Sequence, residues 1–385
     1  MRSTRAGVAA GLTVALGMAL PAAAQGPTIE EVAGGLDSPR GVALGQDGTI
    51  YVAEAGAGGE APCVVHPELG NMCFGPSGAI TAIIDGVPSR IVEGLPSGLT
   101  DNGEVLGPSD VTVDGGGTVW FLVGGPGVGA AEFRDALAEG AGEGIGMLNR
   151  LGADGSIEHV ADLAQYETEQ NPDAEQPGNE EPDSNANGLA ASDAGALVAD
   201  AGANDLLLVG ADGSISTVAV FPVVMQPAPP DPTAEADPDA EPPMVPMDPV
   251  PTSVTVGPDG AYYVGELTGF PFPTGGASVF RVVPGEEATV YADGFTNIMD
   301  VEFGPDGTLY VAEMVHEGLL GVLGGGAPPI GAVMAVPPGG GEAEMVATGD
   351  QLMALGGLAV ADDGAIYVSA NTLMPGAGTV VKITP

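Results

Sequence analysis

The sequence is poor in positive charge. It contains 8 Lys and Arg residues against 52 Asp and Glu residues, which gives a formal net charge of −44 at pH 7. Such an acidic surface repels the phosphates of nucleic acids and anionic lipid headgroups, so nucleic acid is excluded as a partner. Two interpretations of the charge remain. It keeps the protein soluble in a saline medium that screens self-repulsion, or it forms a binding surface for divalent or other cationic ligands.

Long apolar runs are scarce as well. One occupies residues 6–20, between a short basic stretch and small residues, which predicts a secretory signal peptide over residues 1–24. The uncharged stretch 319–338 is interrupted by five glycines and four prolines, so it is not expected to insert into a membrane. Cleavage removes two arginines and no acidic residue, so the mature chain 25–385 has a net charge of −46. We expect this chain to be secreted or periplasmic, and monomeric.

Only two cysteines are present, Cys63 and Cys73, and they lie in one loop. An oxidising compartment favours a disulfide between them. The alternative is a metal-thiolate site that includes His66, although the loop offers no further ligands for it.

Signatures of catalysis are also missing. The sequence has no Gly-x-Ser-x-Gly elbow, no phosphate-binding Gly-rich loop with Lys and no His-Glu-x-x-His motif. It contains three histidines. Nothing in these patterns points to a nucleophile.

What the sequence does contain is a repeat: a short apolar strand, a turn with glycine, and a strand with an aromatic or branched residue. The six copies begin at Gly41, Asp110, Gly188, Ser253, Asp300 and Gly357. A turn glycine follows seven residues later in each copy, at Gly48, Gly117, Gly195, Gly260, Gly307 and Gly364. Turns such as Pro305-Asp306-Gly307 favour hairpins, so each copy is predicted to open with a β-hairpin.

Two further strands follow most hairpins, which predicts an all-β fold: a six-bladed β-propeller of four-stranded blades in one domain, residues 25–385. The last copy lacks a fourth strand, and the chain begins with a spare one at residues 28–33. We expect this N-terminal strand to pair with residues 379–384 and close the ring. The acidic segment 167–183 and the Pro-rich acidic segment 222–251 are predicted to be mobile loops.

Three stretches resemble the ScyD/ScyE family: Ser38-Pro39-Arg40-Gly41, residues 250–273 (VPTSVTVGPDGAYYVGELTGFPFP) and residues 294–304 (GFTNIMDVEFG). The two cysteines fit the same family. The resemblance covers essentially the whole mature chain and implies a secreted, NHL-like six-bladed propeller. The family takes its name from an association with biosynthesis of the pigment scytonemin.

The first strand of each blade lines the channel of a propeller, so the starts of the six copies are the places to look for a site. Asp110 and Asp300 are three blades apart and should face each other. With Asn185, Asn187 and Asn297 they offer the oxygen ligands that Ca²⁺ prefers. The alternative is that these side chains cap turns and accept hydrogen bonds from backbone amides.

Other residues are candidates for ligand binding at the same channel mouth. Arg40 adjoins the mouth, where it could neutralise Asp110 or Asp300 or bind a ligand carboxylate. The remaining ligand-binding candidates are Asn187, Ser253, Glu54, Glu266 and Glu313. His316 follows Glu313 and is the best candidate for a general base, whereas His159 is expected on the surface.

Two functions are consistent with these observations. The first is an exported binding or scaffold propeller for a small molecule, glycan or protein, which the absence of catalytic motifs favours. The second is a Ca²⁺-dependent hydrolase or lactonase, which the acidic pair favours by analogy with other six-bladed propellers.

Overall fold

A computed structural model of the chain describes residues 26–66, 69–137, 140–229 and 242–385. The predicted signal peptide, residues 1–24, lies outside this range. Among the described residues, no helix is long and apolar enough to cross a membrane.

The hairpin that opens each repeat forms because its glycine takes a left-handed conformation. In the first repeat Gly48 has φ 84°, its amide donates to the Gly45 carbonyl, and the Gly45 amide donates to Thr49. Asp47 Oδ1 accepts the Thr49 amide at 3.0 Å. A residue with a β-carbon is strained at that φ, which explains the glycine at this position. The hairpin turn of the third repeat is shorter, because Ser192 pairs directly with Gly195 and only two residues lie between them.

The strands and helices follow one another closely along the chain. Through the second repeat they are β1 (Thr28–Leu36), β2 (Pro39–Leu44), β3 (Ile50–Glu54), β4 (Cys63–His66), β5 (Gly70–Ile84), β6 (Val87–Thr100), β7 (Val105–Leu106), β8 (Pro108–Val113), β9 (Val119–Val123), β10 (Gly127–Val128), α1 (Ala130–Ala136), β11 (Met147–Leu151) and β12 (Ile157–Asp162). Through the fourth repeat they are α2 (Leu163–Gln170), β13 (Asp183–Ser184), β14 (Ala186–Ser192), β15 (Gly195–Asp200), β16 (Asp205–Val209), β17 (Ile215–Val220), β18 (Val224–Pro227), β19 (Met244–Met247), β20 (Pro251–Val256), β21 (Tyr262–Glu266), β22 (Ala277–Val282) and β23 (Thr289–Phe295). The last are β24 (Ile298–Phe303), β25 (Leu309–Glu313), α3 (Leu319–Leu323), β26 (Ile330–Val336), β27 (Glu344–Met353), β28 (Leu358–Val360), β29 (Ile366–Ala370) and β30 (Gly378–Thr384).

These strands form the predicted six-bladed propeller. Blade 1 is β2-β3-β5-β6, extended by β4 and β7, and blade 2 is β8-β9-β11-β12. Blades 3, 4 and 5 are β14 to β17, β20 to β23 and β24 to β27, and blade 6 is β28-β29-β30-β1. The first strand of each blade contacts the first strand of both neighbours, from β2 through β8, β14, β20, β24 and β28 back to β2. These six strands therefore form the innermost ring.

The six largest apolar clusters of the described residues lie one at each junction between neighbouring blades. The second strand of each blade is apolar on both faces because it is covered by a blade on either side. Val52, Val198, Val264, Val311 and Val368 occupy its centre and are fully buried. The branched residues of the repeat are thus what hold adjacent blades together.

The N-terminal strand closes the ring, as predicted. Strand β1 pairs antiparallel with β30, with Thr28 opposite Thr384 and Leu36 opposite Gly378. Ala33 and Leu36 are buried in the cluster between blades 6 and 1. The first described strand of the chain thereby completes its last blade.

The predicted disulfide is also confirmed. Cys63 and Cys73 face each other across the β4–β5 pair, with their Cα atoms 4.0 Å apart and their sulfurs bonded. The metal-thiolate alternative is therefore wrong. The His66 ring instead lies against the Val128 carbonyl at 3.1 Å.

The two segments predicted to be mobile contain secondary structure. Segment 167–183 comprises the end of α2, hydrogen-bonded turns and the start of β13. Helix α2 begins where Asp162 Oδ1 accepts the Gln165 amide at 3.0 Å. In segment 222–251, β18 pairs with β19, and residues 230–241 between them lie outside the described range.

Candidate functional site

The central channel narrows to a neck where the six innermost strands begin. One residue from each blade lines it, together with four of the residues that follow them: Arg40, Gly41, Ser109, Asp110, Asn187, Thr252, Met299, Asp300, Gly356 and Gly357. The cavity within the neck is about 20 Å³, close to the size of one water molecule. Backbones approach closely here: a β-carbon would lie 2.7 Å from the Asp110 Cα if placed on Gly41, and 2.5 Å from the Gly41 Cα if placed on Gly357.

On one side of the neck the channel opens into a mouth of about 520 Å³. Its polar lining includes Arg40, Asn102, Glu104, Asn185 and Asn187. The rest of the wall is largely apolar and includes Val105, Leu106, Leu267, Phe272, Met299, Met314, Leu319, Val322, Leu323 and Leu373. This volume and chemistry suit a small-molecule pocket.

On the other side lies a chamber of about 230 Å³. Its wall is largely polar, and Asp110, Asp300 and Glu302 are among the residues that line it. Glu302 was not among the site residues predicted from the sequence. Its position two residues after Asp300 on the same strand was the available signal, since alternate residues share a face.

The two aspartates meet in one channel, as predicted, and each also ties two blades together. Asp110 Oδ2 accepts the Leu189 amide of blade 3 at 2.6 Å, and Asp300 Oδ2 accepts the Leu358 amide of blade 6 at 2.6 Å. Each Oδ1 accepts the amide of the next residue at 2.8 Å. The hydrogen-bonding role that was the alternative to metal binding is therefore present at both aspartates.

Burial dominates the electrostatics of this acidic group. It raises the pKa of Asp110 to about 7, against the two amides that favour the charged form, and the charge of Glu302 adds to the rise. Burial and the charge of Asp110 raise the pKa of Asp300 well above its usual range. Burial also raises the pKa of Glu302 to about 7, although Thr255 donates to its carboxylate.

Arg40 does not neutralise these aspartates, so that expectation is wrong. Its Nη2 donates to the Val105 carbonyl at 2.9 Å on the mouth side of the neck, and it forms no ion pair with Asp110 or Asp300. Burial lowers the pKa of Arg40, and nearby Glu104 opposes that shift. The guanidinium forms part of the floor of the mouth.

Three of the predicted ligand-binding residues, Glu54, Glu266 and Glu313, end the second strand of a blade. They do not reach the channel, because their side chains point into the blades. Glu54 accepts the Asp37 amide at 2.6 Å, and Glu313 accepts the Thr296 amide at 2.7 Å. Both are about 1% exposed and Glu266 is 7% exposed. None of them lines the mouth, the neck or the chamber, so the prediction that they bind a ligand at the channel mouth is wrong.

Three other predicted residues also lie away from the channel. Ser253 is 2% exposed, while its neighbour Thr252 lines the neck. Asn297 is fully buried and donates to the Leu267 carbonyl at 3.3 Å. The ring of His316 contacts the buried Glu313 carboxylate and lines neither the mouth nor the chamber.

The predicted calcium ligands are therefore divided. Asp110, Asp300 and Asn187 line the neck, Asn185 lies in the mouth above it, and Asn297 is part of the surrounding structure. Across the described ranges, no three His, Cys, Asp or Glu side chains are grouped as a formed metal site.

Comparison with known proteins supports the fold alone. No protein-family model matches the chain, and no curated protein does. A gluconolactonase from Xanthomonas campestris is similar in structure at 9% identity and a TM-score of 0.53, over 92% of this chain and 88% of that one. A structural-genomics protein of unknown function from Bacteroides thetaiotaomicron has 8% identity and a TM-score of 0.53, over 93% and 76%. Virginiamycin B lyase from Staphylococcus aureus has 14% identity and a TM-score of 0.47, over 93% and 99%.

Proposed function

We propose that the protein is an exported binding propeller whose mouth takes a small molecule with an apolar body and a carboxylate head. The observation that carries this proposal is the mouth itself, a cavity of about 520 Å³ with apolar walls and Arg40 at its floor. Pockets for small ligands combine mostly apolar walls with a few fixed polar groups that orient the ligand.

The apolar part of the ligand would pack against the rim. Leu323 on α3 is 66% exposed and Leu373 is 37% exposed, and both line the mouth. Exposed apolar side chains grouped around a cavity mark binding surfaces. The same walls fit a glycan poorly, because a sugar needs hydrogen-bonding partners at most of its hydroxyl groups.

Arg40 would bind the head of the ligand. A guanidinium has five N–H donors in a planar fork that matches a carboxylate, and one of them is used on Val105. A ligand carboxylate would compensate the partial burial of this charge. Because the surface as a whole repels anions, the apolar body must supply much of the affinity.

Calorimetric titration with a panel of aromatic and aliphatic carboxylic acids, each paired with its primary alcohol, tests the proposal. We expect Arg40→Gln to weaken binding of the acids about 10- to 100-fold, the worth of a charge-assisted hydrogen bond, and to leave the alcohols unchanged. Arg281→Gln on the outer surface is the control. Equal affinities of wild type and Arg40→Gln for the acids would refute the role of Arg40, and preferential binding of oligosaccharides would replace the proposed ligand class.

A second candidate is a Ca²⁺-dependent hydrolase or lactonase of the channel. The meeting of Asp110, Asp300 and Glu302 in one chamber favours it, since free lone pairs on these carboxylates could hold a hard cation. The test is a panel of lactones and esters assayed with and without chelator. Chelator-sensitive turnover that Asp300→Ala abolishes without unfolding the protein would establish the enzyme.

Export and membership of the ScyD/ScyE family belong to the same proposal. The disulfide supports an oxidising compartment. Fractionation of the native host, with the Cys63–Cys73 bond mapped by mass spectrometry, would locate the protein.

A further inference from the structure

A pocket of about 250 Å³ lies between blades 2 and 3. It is lined by residues at the ends of β8 and β14, whereas the neck is formed where these strands begin. It shares no lining residue with the mouth and only Thr112 with the chamber. We call it the blade 2–3 pocket. It is a separate site from the mouth, at the other end of the innermost strands.

One position of the repeat explains why a pocket forms here. The residue three positions after the start of each copy is, in blade order, Leu44, Val113, Ala191, Val256, Phe303 and Val360. In blades 1, 2, 5 and 6 it belongs to the same apolar cluster as an aromatic residue of the preceding blade, which is Tyr367, Tyr51, Tyr263 and Tyr310, respectively. The rings of Tyr263 and Phe303, for example, are 4.8 Å apart. A large side chain at this position therefore covers the aromatic ring of the blade before it.

Blade 3 reverses these proportions. Its residue at this position is Ala191, and the aromatic residue of blade 2 is Trp120, the only tryptophan of the chain. The hairpin turn of blade 3 is also shorter, with two residues between Ser192 and Gly195. The smallest side chain of the six thus meets the largest ring, and both line the pocket. A methyl group covers much less of an indole than a leucine or phenylalanine side chain does, so a cavity remains.

Trp120 is held in place by its neighbours. Its Nε1 donates to Asp114 Oδ2 at 3.0 Å, and Asp114 Oδ1 accepts two backbone amides of its own turn. The guanidinium of Arg150 lies over the indole, 5.4 Å from the ring centroid, and its Nε donates to Glu158 at 2.6 Å. The aromatic wall of the pocket is therefore preorganised, which lowers the entropic cost of binding a ligand.

The charges around the pocket favour a neutral ligand with hydroxyl groups. Arg150 lines it together with Asp114 and Asp193. Burial opposes the charge of Asp114, but hydrogen bonds from Trp120 and the turn amides outweigh burial and lower the pKa of Asp114. An anion would meet two carboxylates, and a cation would meet a guanidinium that already stacks on the indole. Hydroxyl groups can donate to the carboxylates and accept from the guanidinium at the same time.

The size and the apolar part of the wall suit a single sugar ring. Besides the indole, the wall contains the small apolar side chains Ala191, Ala194, Ala196, Val209 and Ala211. The C–H groups of a sugar form an apolar face that is attracted to the electron-rich face of an aromatic ring, and its hydroxyl groups lie around the edge. Drug-sized ligands occupy pockets of about 300 to 1,000 Å³, so this smaller cavity holds one ring.

We propose that the blade 2–3 pocket binds one pyranose residue, free or at the end of a glycan, with its C–H face against Trp120 and its hydroxyl groups on Arg150 and Asp193. Asp193 is exposed in the short turn of blade 3. A guanidinium has five N–H donors, so the bond from Arg150 to Glu158 leaves donors for the sugar. The pocket would attach the propeller to a glycan while the mouth, at the other end of the innermost strands, stays open to its own ligand.

Tryptophan fluorescence tests the proposal, because Trp120 is the only tryptophan and lines the pocket. Glucose, galactose, mannose and fucose, and oligosaccharides that end in each, are titrated into the mature chain. We expect at least one pyranose to give a saturable change in emission at millimolar concentration. Tighter binding of an oligosaccharide than of its terminal sugar would identify a glycan as the source, and equal affinities would identify the free sugar.

Variants locate the binding site. Ala191→Leu places in blade 3 the residue that blade 1 carries and should abolish the response, while its melting temperature stays at or above that of the wild type because a cavity is filled. Asp193→Ala removes one exposed carboxylate and should weaken binding about 10-fold. Val256→Leu enlarges the same position of the repeat in blade 4 and is the matched control. It should respond like the wild type, and so should Arg40→Gln, which alters the mouth.

The proposal is overturned if no sugar changes the emission, or if Ala191→Leu and Asp193→Ala bind sugar as tightly as the wild type. A response to choline but not to sugars would show that the pocket takes an organic cation instead. A response lost in Arg40→Gln and kept in Ala191→Leu would place the sugar in the mouth.

Discussion

At the scale of single residues, one position in the repeat serves several purposes. Glu54, Glu266 and Glu313 each end the second strand of a blade. Glu54 and Glu313 both bind the backbone just before their blade begins, but the compensating groups differ. Arg90 compensates Glu54, His316 contacts Glu313, and Ser278 is the group that favours ionisation of Glu266.

The Glu54–Arg90 pair should be worth more than a surface ion pair. Arg90→Ala leaves a carboxylate that is 2% exposed without its guanidinium, and we expect a loss of about 2 kcal/mol in the free energy of unfolding, since Arg90 itself is partly solvated. Arg281→Ala is a matched control, because both arginines are 35% exposed but Asp259 is 41% exposed. We expect about 0.5 kcal/mol there. Urea denaturation measures both, and equal losses would contradict this account.

Glu266 should make stability depend on pH. Burial raises its pKa to about 7, against hydrogen bonds from Ser278. The folded state then holds the proton more tightly than the unfolded state, so this contribution is complete below the unfolded pKa and is lost as pH rises through about 7. It amounts to about 3 kcal/mol. Glu266→Gln should therefore gain stability relative to the wild type between pH 5 and pH 8.

Urea denaturation at the two pH values measures that difference. The control is Glu286→Gln, which removes one exposed carboxylate from a turn. A difference between Glu266→Gln and the wild type that is the same at pH 5 and pH 8 would rule out the pKa shift.

At the scale of elements, the N-terminal strand is the piece on which blade 6 depends. Strand β1 covers the edge of β30 and contributes Ala33 and Leu36 to the cluster between blades 6 and 1. Without it, β30 would present a row of unpaired backbone groups to solvent. The first and last described strands are thereby joined by backbone hydrogen bonds.

Deletion of residues 26–35 should abolish cooperative unfolding, because it removes nearly all of β1. The control deletes Gly26 and Pro27, which precede the strand, and should melt like the wild type. Differential scanning calorimetry distinguishes the two. A truncated protein that lacks β1 and keeps its melting temperature would show that closure is dispensable.

At the scale of the whole molecule, most of the acidic charge is uncompensated. Of 52 acidic residues, few take part in the ion pairs of the described chain. Self-repulsion among the rest opposes the compact state and is screened by salt. A protein of this charge is therefore suited to a saline medium.

The melting temperature should rise by several degrees from low salt to 1 M NaCl, since the screening length falls from about 30 Å at 0.01 M to about 3 Å. Choline chloride at equal ionic strength is the control and should act equally, because screening does not depend on the identity of the cation. A rise confined to NaCl would indicate specific sodium binding instead, and a fall would contradict the repulsion argument.

The propeller, its closure and the disulfide follow from the sequence alone, because they rest on local and periodic features. The seven-residue spacing to each turn glycine fixes the hairpins, and the spare strand of residues 28–33 has one free partner. Cys63 and Cys73 lie in a single hairpin. The orientation of the residues at the channel was decided only by tertiary structure.

The physical reason is a register shift at the start of five innermost strands, for example between Pro251 and Ser253 and between Ile298 and Asp300. Such a bulge resets which residue faces the channel, and sequence alternation does not reveal it. This is why Thr252 lines the neck while Ser253 is buried. The burial of Glu167, Asp200 and Asp205 in blade 3 was equally hidden, because α2 and the β15–β16 corner bring together carboxylates that are distant in sequence.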